Sequence, residues 1–294
     1  MGTGVLTDRH NRLACARIKQ ILVQVAKIRK GGREVVLVSS GAVGAGMEAL
    51  GYDKRPTRLE ELQACAAVGQ SKLMAIYNEL FAAHNIQVAQ VLLTHDDLQD
   101  RDRHLNARNT LMALLAQGVV PVINENDAVS FTELTVGDND LLSALVTALL
   151  PADLLVLLTT ADGLIRNFGK SNAKLISTVK NIDSTTFKIA RGTDSETSVG
   201  GMVSKLKAAK IVMRAGIPML IGNGMQRGVL GKILSADLLG TFFLPSESKL
   251  KGRKRWIAFF HHPQGVLIVD DGAKAALRDH GMSLLLPGII KCEG

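Results

Sequence analysis

Short unbroken apolar runs alternate with longer stretches of helical periodicity over most of the chain. Residues 12–30 carry apolar positions three and four apart and predict a helix, which leads through Gly31-Gly32 into the run EVVLV at 34–38. Further strands are predicted at 86–93 (IQVAQVLL), 119–123 (VVPVI), 153–159 (DLLVLLT) and 217–222 (IPMLIG). Between them, helices are predicted at 39–51 after a Gly-rich turn, from about 58 to 84, at 105–117, at 139–150 and at 203–215. Strands alternating with helices of this length imply right-handed βαβ units, hence an α/β fold with a mainly parallel sheet sandwiched by helices.

Active sites in such sheets lie at the carboxyl ends of the strands. Each unusual polar cluster of this chain falls at such an end: SSGA after 34–38, NEND after 119–123 and TTADG after 153–159. The pattern therefore points to an enzyme.

SSGAVGAG (39–46) offers small residues and free backbone N–H groups at a strand-to-helix turn, which suits an anion; tight strand–helix packing would also account for it. NENDAV (124–129) and VGDND (136–140) put three Asp, three Asn and a Glu around a hairpin-like segment. Turn formation explains one or two of these residues. A cluster this dense reads better as a polar pocket for an ammonium and a carboxylate, with an acid left to orient cations.

SVGGMVSKLKAA (198–209) places Gly200-Gly201 just before Lys205 in the first turns of a helix. Such glycines would let backbone amides approach a phosphate while the lysine neutralises developing charge. A Walker A loop is absent. TTADGL (159–164) follows a buried strand and could receive a nucleotide or be a bare turn. His95, His104, His261 and His262 show no metal-ligand spacing.

Composition narrows the class. Of 294 residues, 47% are hydrophobic and only 4% aromatic, so the core must be built from Leu, Val, Ile and Ala. The net charge is +8, but about half of that excess sits in SESKLKGRKR (246–255), which leaves the body only mildly basic. No aromatic–basic interleaving marks a base-stacking surface, which argues against RNA binding. Three scattered cysteines make neither a zinc site nor a disulfide framework and fit a reducing cytoplasm. No apolar run reaches the roughly 18–20 residues that span a bilayer. The first residues lack the apolar core of a signal peptide.

Taken together, GTGVLT near the start, VVLVSSGAVGAG, LLTHDDLQDRDRHLNARNTLMALL, PVINENDAV, VGDND, GGMVSKLKAA, RKRW and VDDGA resemble the glutamate 5-kinases of the amino acid kinase family. The similarity covers nearly the whole chain. It implies ATP-dependent phosphorylation of the γ-carboxylate of L-glutamate, the first step of proline synthesis, in a cytoplasmic enzyme.

By the same resemblance Ser40, Gly41, Asp127 and Asn139 bind glutamate. Lys205, Asp140 and Asp138 serve the transferring phosphoryl group. Gly2, Thr3, Thr159, Thr160 and the run Val199, Gly200, Gly201, Met202, Val203, Ser204 and Lys205 form the ATP site, with Mg²⁺ as cofactor and no dedicated metal ligand. Proline as feedback inhibitor, a homo-oligomer and hand-off to γ-glutamyl phosphate reductase are further family expectations.

The resemblance also divides the chain into a kinase domain at 1–245, a basic linker at 246–255 and an incomplete PUA-like, β-rich segment at 256–294. Three departures stand out. The family's first strand, with a lysine two residues before the Gly-Thr, has no counterpart ahead of Met1. Thr160 stands where an acid is usual, and the tail stops partway through the PUA-like unit. Acetylglutamate kinase is the nearest alternative chemistry, and a catalytically impaired regulatory or RNA-binding relative is the alternative from another class.

Overall fold

A computed structural model describes residues 1–8, 12–129, 138–191, 196–235, 237, 239–246 and 265–293, without the side chains of 138, 191 and 196–200. The basic linker expected at 246–255 falls outside these residues, apart from Ser246.

A single turn, α1 (Thr3–Leu6), precedes α2 (Cys15–Lys30). On α2, Ile18, Ile21, Leu22, Val25 and Ala26 are buried, the three-and-four spacing of one helical face. Lys27, Arg29 and Lys30 occupy its last turn, where cations complement the helix dipole. Strand β1 (Leu37–Val38) then leads through Gly41 into α3 (Ala42–Leu50), followed by the long α4 (Leu59–Ala82) and β2 (Val88–Leu93).

The helix expected at 105–117 is α6 (Arg101–Ala116), which starts four residues earlier, and a short helix that was not expected, α5 (His95–Gln99), precedes it. Thr94 and Asp97 close a capping box on α5, and the Asp100 carboxylate accepts from the amides of Asp102 and Arg103 to start α6.

Strand β3 (Val120–Glu125) runs two residues beyond the predicted 119–123, so Asn124 and Glu125 lie in a fully buried strand and not in a loop. Further along the described residues, α7 (Asp138–Leu149) and β4 (Leu155–Thr159) follow the expected pattern. Three strands of two residues, β5 (Ile165–Arg166), β6 (Lys174–Leu175) and β7 (Thr178–Val179), and the helix α8 (Ser184–Arg191) fill a region the sequence pattern leaves blank.

Helix α9 (Glu196–Arg214), β8 (Met219–Asn223), α10 (Val229–Leu234) and β9 (Thr241–Phe243) complete the body. Residues 265–293 form a separate antiparallel pair, β10 (Val266–Val269) and β11 (Ile289–Glu293), around α11 (Asp271–Arg278). None of the helices among the described residues is long and apolar enough to cross a membrane.

Where one main sheet was expected, the described residues form two, besides the two-stranded pairs β5–β6 and β10–β11. One has the order β1-β3-β2 and is all parallel; the other has the order β4-β8-β9-β7, in which only the β8–β9 pair is antiparallel. Edge strands β1 and β4 face a cavity of about 710 Å³ between the sheets, walled by Val36, Val38, Leu155 and Val156 and capped by α2 and α7. At its carboxyl end the Met1 nitrogen donates to Val38 O (2.7 Å) and the Gly2 amide to Leu158 O (3.1 Å), so the first two residues touch both sheets.

Two apolar clusters hold the layers. One joins α7, α9, β4 and β8 through Leu142, Leu145, Val212, Leu157 and Ile221. The other joins α2, α4 and β3 through Ile18, Leu22, Leu73, Tyr77 and Val122.

Helices α3 and α4 approach closely enough that no side chain fits between them at two points. A Cβ on Gly46 would lie 1.7 Å from Cys65 O, and one on Gly69 would lie 1.8 Å from Ala42 O. Gly69→Ala should therefore force the helices apart and destabilise the protein by at least the ~1–3 kcal/mol usual for overpacking. Gly231 sits within α10 with open space where its Cβ would be. Gly231→Ala should raise stability by about 0.5–1 kcal/mol, since alanine loses less backbone entropy in a helix. Denaturant midpoints of the two variants check the opposite signs.

Candidate active site

A cavity of about 480 Å³ opens at the carboxyl ends of β1, β3 and β4. Four elements build its wall: the Gly2–Val5 turn, the β1–α3 junction from Ser40 to Gly44, the end of β3 with Asn124, Glu125 and Asp127, and the first turn of α7 with Asn139 and Asp140. Thr159 at the end of β4 and Thr160 just after it, Gly201 and Lys205 from α9, and Arg55 from the α3–α4 connection complete it.

The β1–α3 junction works because Gly41 has φ +98°, a left-handed conformation that a side chain would strain. That turn sends the chain from the strand directly into a helix whose first residues, Ala42, Val43 and Gly44, line the cavity. Orphan amides at a helix start are donors for an anion. Behind Ser40, the Ser39 hydroxyl is 2.6 Å from Tyr77 Oη, and burial pushes the Tyr77 phenol well above its ordinary range. This contact ties the end of β1 to α4.

Across the cavity, Asp140 Oδ2 accepts from Lys205 Nζ at 2.8 Å and from Ser204 Oγ at 2.6 Å. The carboxylate and the ammonium are each only 11% exposed. Lys205 Nζ also donates to Gly201 O at 3.3 Å, one turn back on α9. For buried pairs in general, the hydration lost by the two charges can exceed what their attraction returns, so such a pair is weak evidence for a stabilising role. Its position on a cavity wall, with the lysine already desolvated, suits a site that receives additional negative charge.

A chain of amides joins the other wall. Asn124 Nδ2 donates to Gln70 Oε1 (2.9 Å), and Asn139 Nδ2 donates to both Asn124 Oδ1 (3.1 Å) and Ser40 Oγ (2.8 Å). It links α4, β3, α7 and the end of β1.

The fold thus brings Gly2, Thr3, Ser40, Gly41, Asp127, Asn139, Asp140, Thr159, Thr160, Gly201 and Lys205 to one cavity. Met202, Val203 and Ser204 lie on α9 beside it, while Asp138 opens α7 and Val199 and Gly200 lie in the first turns of α9. Two local expectations change. VGDND is not hairpin-like where it is described, because Asp138-Asn139-Asp140 is the first turn of a helix. Gly200-Gly201 do not precede the helix but lie inside α9, which begins at Glu196, so Lys205 is in its third turn.

Gln70 and Arg55 carry no sequence signal for a site. Gln70 sits mid-helix on the buried face of α4, and Arg55 belongs to an exposed connection; only the packing of α3 on α4 brings them near Ser40. Asn124 could have been singled out from NENDAV, and the unexpected length of β3 explains why its side chain turns inward.

The model of the amino acid kinase family matches residues 1–223. A glutamate 5-kinase from Geobacter sulfurreducens is 47% identical over the whole of this chain and 79% of its own length, and one from Geobacter metallireducens is 48% identical over the same shares. Among solved structures, carbamate kinase from Giardia lamblia superposes with a TM-score of 0.56 at 18% identity, covering 79% of this chain and 89% of that one; this likeness concerns the fold alone. The chain belongs to the amino acid kinase family, in its glutamate 5-kinase branch.

Proposed function

We propose that this chain transfers the γ-phosphoryl group of ATP to the side-chain carboxylate of L-glutamate. The observation that carries this reading is the buried Lys205–Asp140 pair on the same cavity wall as Ser40, Asp127 and Asn139. One cavity thereby joins a desolvated cation, suited to phosphoryl oxygens, to a polar set suited to an amino acid.

In the reaction, an oxygen of the γ-carboxylate attacks the γ-phosphorus, the bond from that phosphorus to the bridging oxygen breaks, and ADP leaves with the electron pair. Glutamate's carboxylate is ionised at neutral pH, so no base is needed to activate it. Catalysis is then alignment and charge neutralisation.

Ser40, Gly41, Asp127 and Asn139 hold glutamate against the start of α3. Gly2, Thr3, Thr159, Thr160 and the Val199–Lys205 segment hold the nucleotide. The glycines there suit such a role: a Cβ on Gly4 would already be 3.0 Å from Thr160 Cγ2, so bulk at this wall would fill the cradle. Lys205 neutralises charge on the transferring group, and Asp140, with Asp138 beside it in the chain, keeps Lys205 in place.

Mg²⁺, when bound, would offset the negative charge of the phosphate groups. The Asp140 carboxylate fits it as a hard oxygen donor through the oxygen that Lys205 and Ser204 do not use. In this reading the enzyme is cytoplasmic and homo-oligomeric and is inhibited by proline. Its acyl phosphate product is prone to hydrolysis, which favours direct hand-off to γ-glutamyl phosphate reductase.

Incubation with Mg-ATP, L-glutamate and hydroxylamine should yield the γ-hydroxamate. Preference for acetylglutamate or aspartate in the same assay would overturn the assignment. Lys205→Met should lower kcat by about 10²–10³-fold, the usual effect of removing one preorganised charge-stabilising donor, with KM for glutamate little changed. Asp127→Ala should instead raise KM for glutamate about 10- to 100-fold, corresponding to one charge-assisted hydrogen bond, and leave KM for ATP within about threefold. Equal effects of Asp127→Ala on both substrates would mark a loop-forming role instead.

A further inference from the structure

Gln70 does not line the cavity, is 8% exposed, and belongs to none of the clusters that mark the site in the sequence. Its Nε2 is buried without a partner among the described residues. A leucine of similar size would avoid that cost. A buried glutamine with an orphaned nitrogen therefore needs a reason other than stability.

The reason follows from one backbone amide. The Glu125 N–H can only donate, and it lies 3.0 Å from Asn124 Oδ1. That contact fixes which end of the Asn124 amide is oxygen, so its nitrogen must point the other way, onto Gln70 Oε1. Any atom of Asn139 that touches the same Asn124 oxygen must be a donor, hence Nδ2, and the same nitrogen donates to Ser40 Oγ. The polarity of the whole chain is thereby set. Asn139 is left with its oxygen, which is buried and has no partner among the described residues. Ser40 Oγ already accepts, so its own hydrogen remains to be donated.

We propose that Gln70 is a positioning residue for the amino-acid site: through Asn124 it holds the Asn139 amide so that an acceptor is offered to the substrate's ammonium group while the Ser40 hydroxyl is offered to a carboxylate. This rests on glutamate being the substrate. A donor-seeking oxygen beside an acceptor-seeking hydroxyl matches an α-amino acid and mismatches the same acid without its amine. Without the Gln70 oxygen, Asn124 Nδ2 loses its acceptor and the amide is held at one end only, by the Glu125 N–H; its oxygen can then swing away from Asn139, which is no longer obliged to turn its nitrogen toward Ser40.

The test compares L-glutamate with glutarate, the same dicarboxylate lacking the ammonium, each followed as substrate or as competitive inhibitor. Gln70→Leu should weaken L-glutamate about 10- to 100-fold, while glutarate and ATP change less than about threefold. Its melting temperature should be unchanged or higher, opposite in direction to the loss of affinity. Gln70→Glu keeps an acceptor oxygen and should retain the preference for L-glutamate. The double variant Gln70→Leu/Asn139→Ala should be no worse than Asn139→Ala alone, because Gln70 acts only through that amide. If Gln70→Leu does not melt cooperatively, Gln70→Met, whose thioether is a weak acceptor, carries the same comparison.

Equal losses for glutamate and glutarate, or additive effects in the double variant, would overturn the relay and leave glutamate kinase activity standing. A parent chain that turns over no glutamate would overturn the substrate reading and the ammonium assignment with it.

Discussion

Backbone contact between α3 and α4 is the constraint on which the rest of the site depends. Gly46 and Gly69 remove the two side chains that would hold the helices apart, and the carbonyls of Cys65 and Ala42 come to where those side chains would be. Two parts of the site are placed by that single contact. Helix α3 presents its first amides at the end of β1, and α4 carries Gln70, the neighbour of Gly69, under the end of β3. A looser helix pair would move the anion-binding turn and the base of the amide chain together.

The two walls of the cavity do different electrostatic work. On one, Asp140 holds Lys205 in a nearly dry environment, where a cation interacts with phosphate much more strongly than it would in water. On the other, the neutral chain Gln70–Asn124–Asn139–Ser40 carries no net charge but has a direction, fixed by the Glu125 amide. Charge suits the migrating phosphoryl group, which must be neutralised. Direction suits the amino acid, whose ammonium and carboxylate must be told apart. Helix α7 serves both walls, because Asn139 and Asp140 are successive residues in its first turn. A helix places adjacent side chains about 100° apart, so neighbours in sequence can face different partners.

The described segments fit the idea that loop ends of an α/β sheet carry chemistry while its strands provide rigidity. Asn124 is an exception to that division. It lies within β3, paired opposite Leu92, and still contributes a polar group to the cavity. Strand geometry gives that amide a fixed backbone donor from the next residue, which a mobile loop would not supply as reliably.

Much of this was legible in the sequence. The periodicity of Ile18, Ile21, Leu22 and Val25 pointed to α2, and the runs at 119–123 and 153–159 pointed to β3 and β4 with their polar ends, because burial imposes local spacing rules on a chain. The motifs around Ser40, Asp127, Asn139 and Lys205 were visible for the same reason: each cluster is local. What tertiary structure alone decided is which clusters meet and with what polarity. The Lys205–Asp140 pair spans 65 residues and the Asn124–Gln70 bond 54, distances at which no periodicity carries information. The start of α9 at Glu196 and the split into two sheets likewise depend on packing and pairing between distant segments. Sequence determined the parts through short-range physics; packing decided their contacts, because a hydrogen bond's direction depends on whatever stands opposite it.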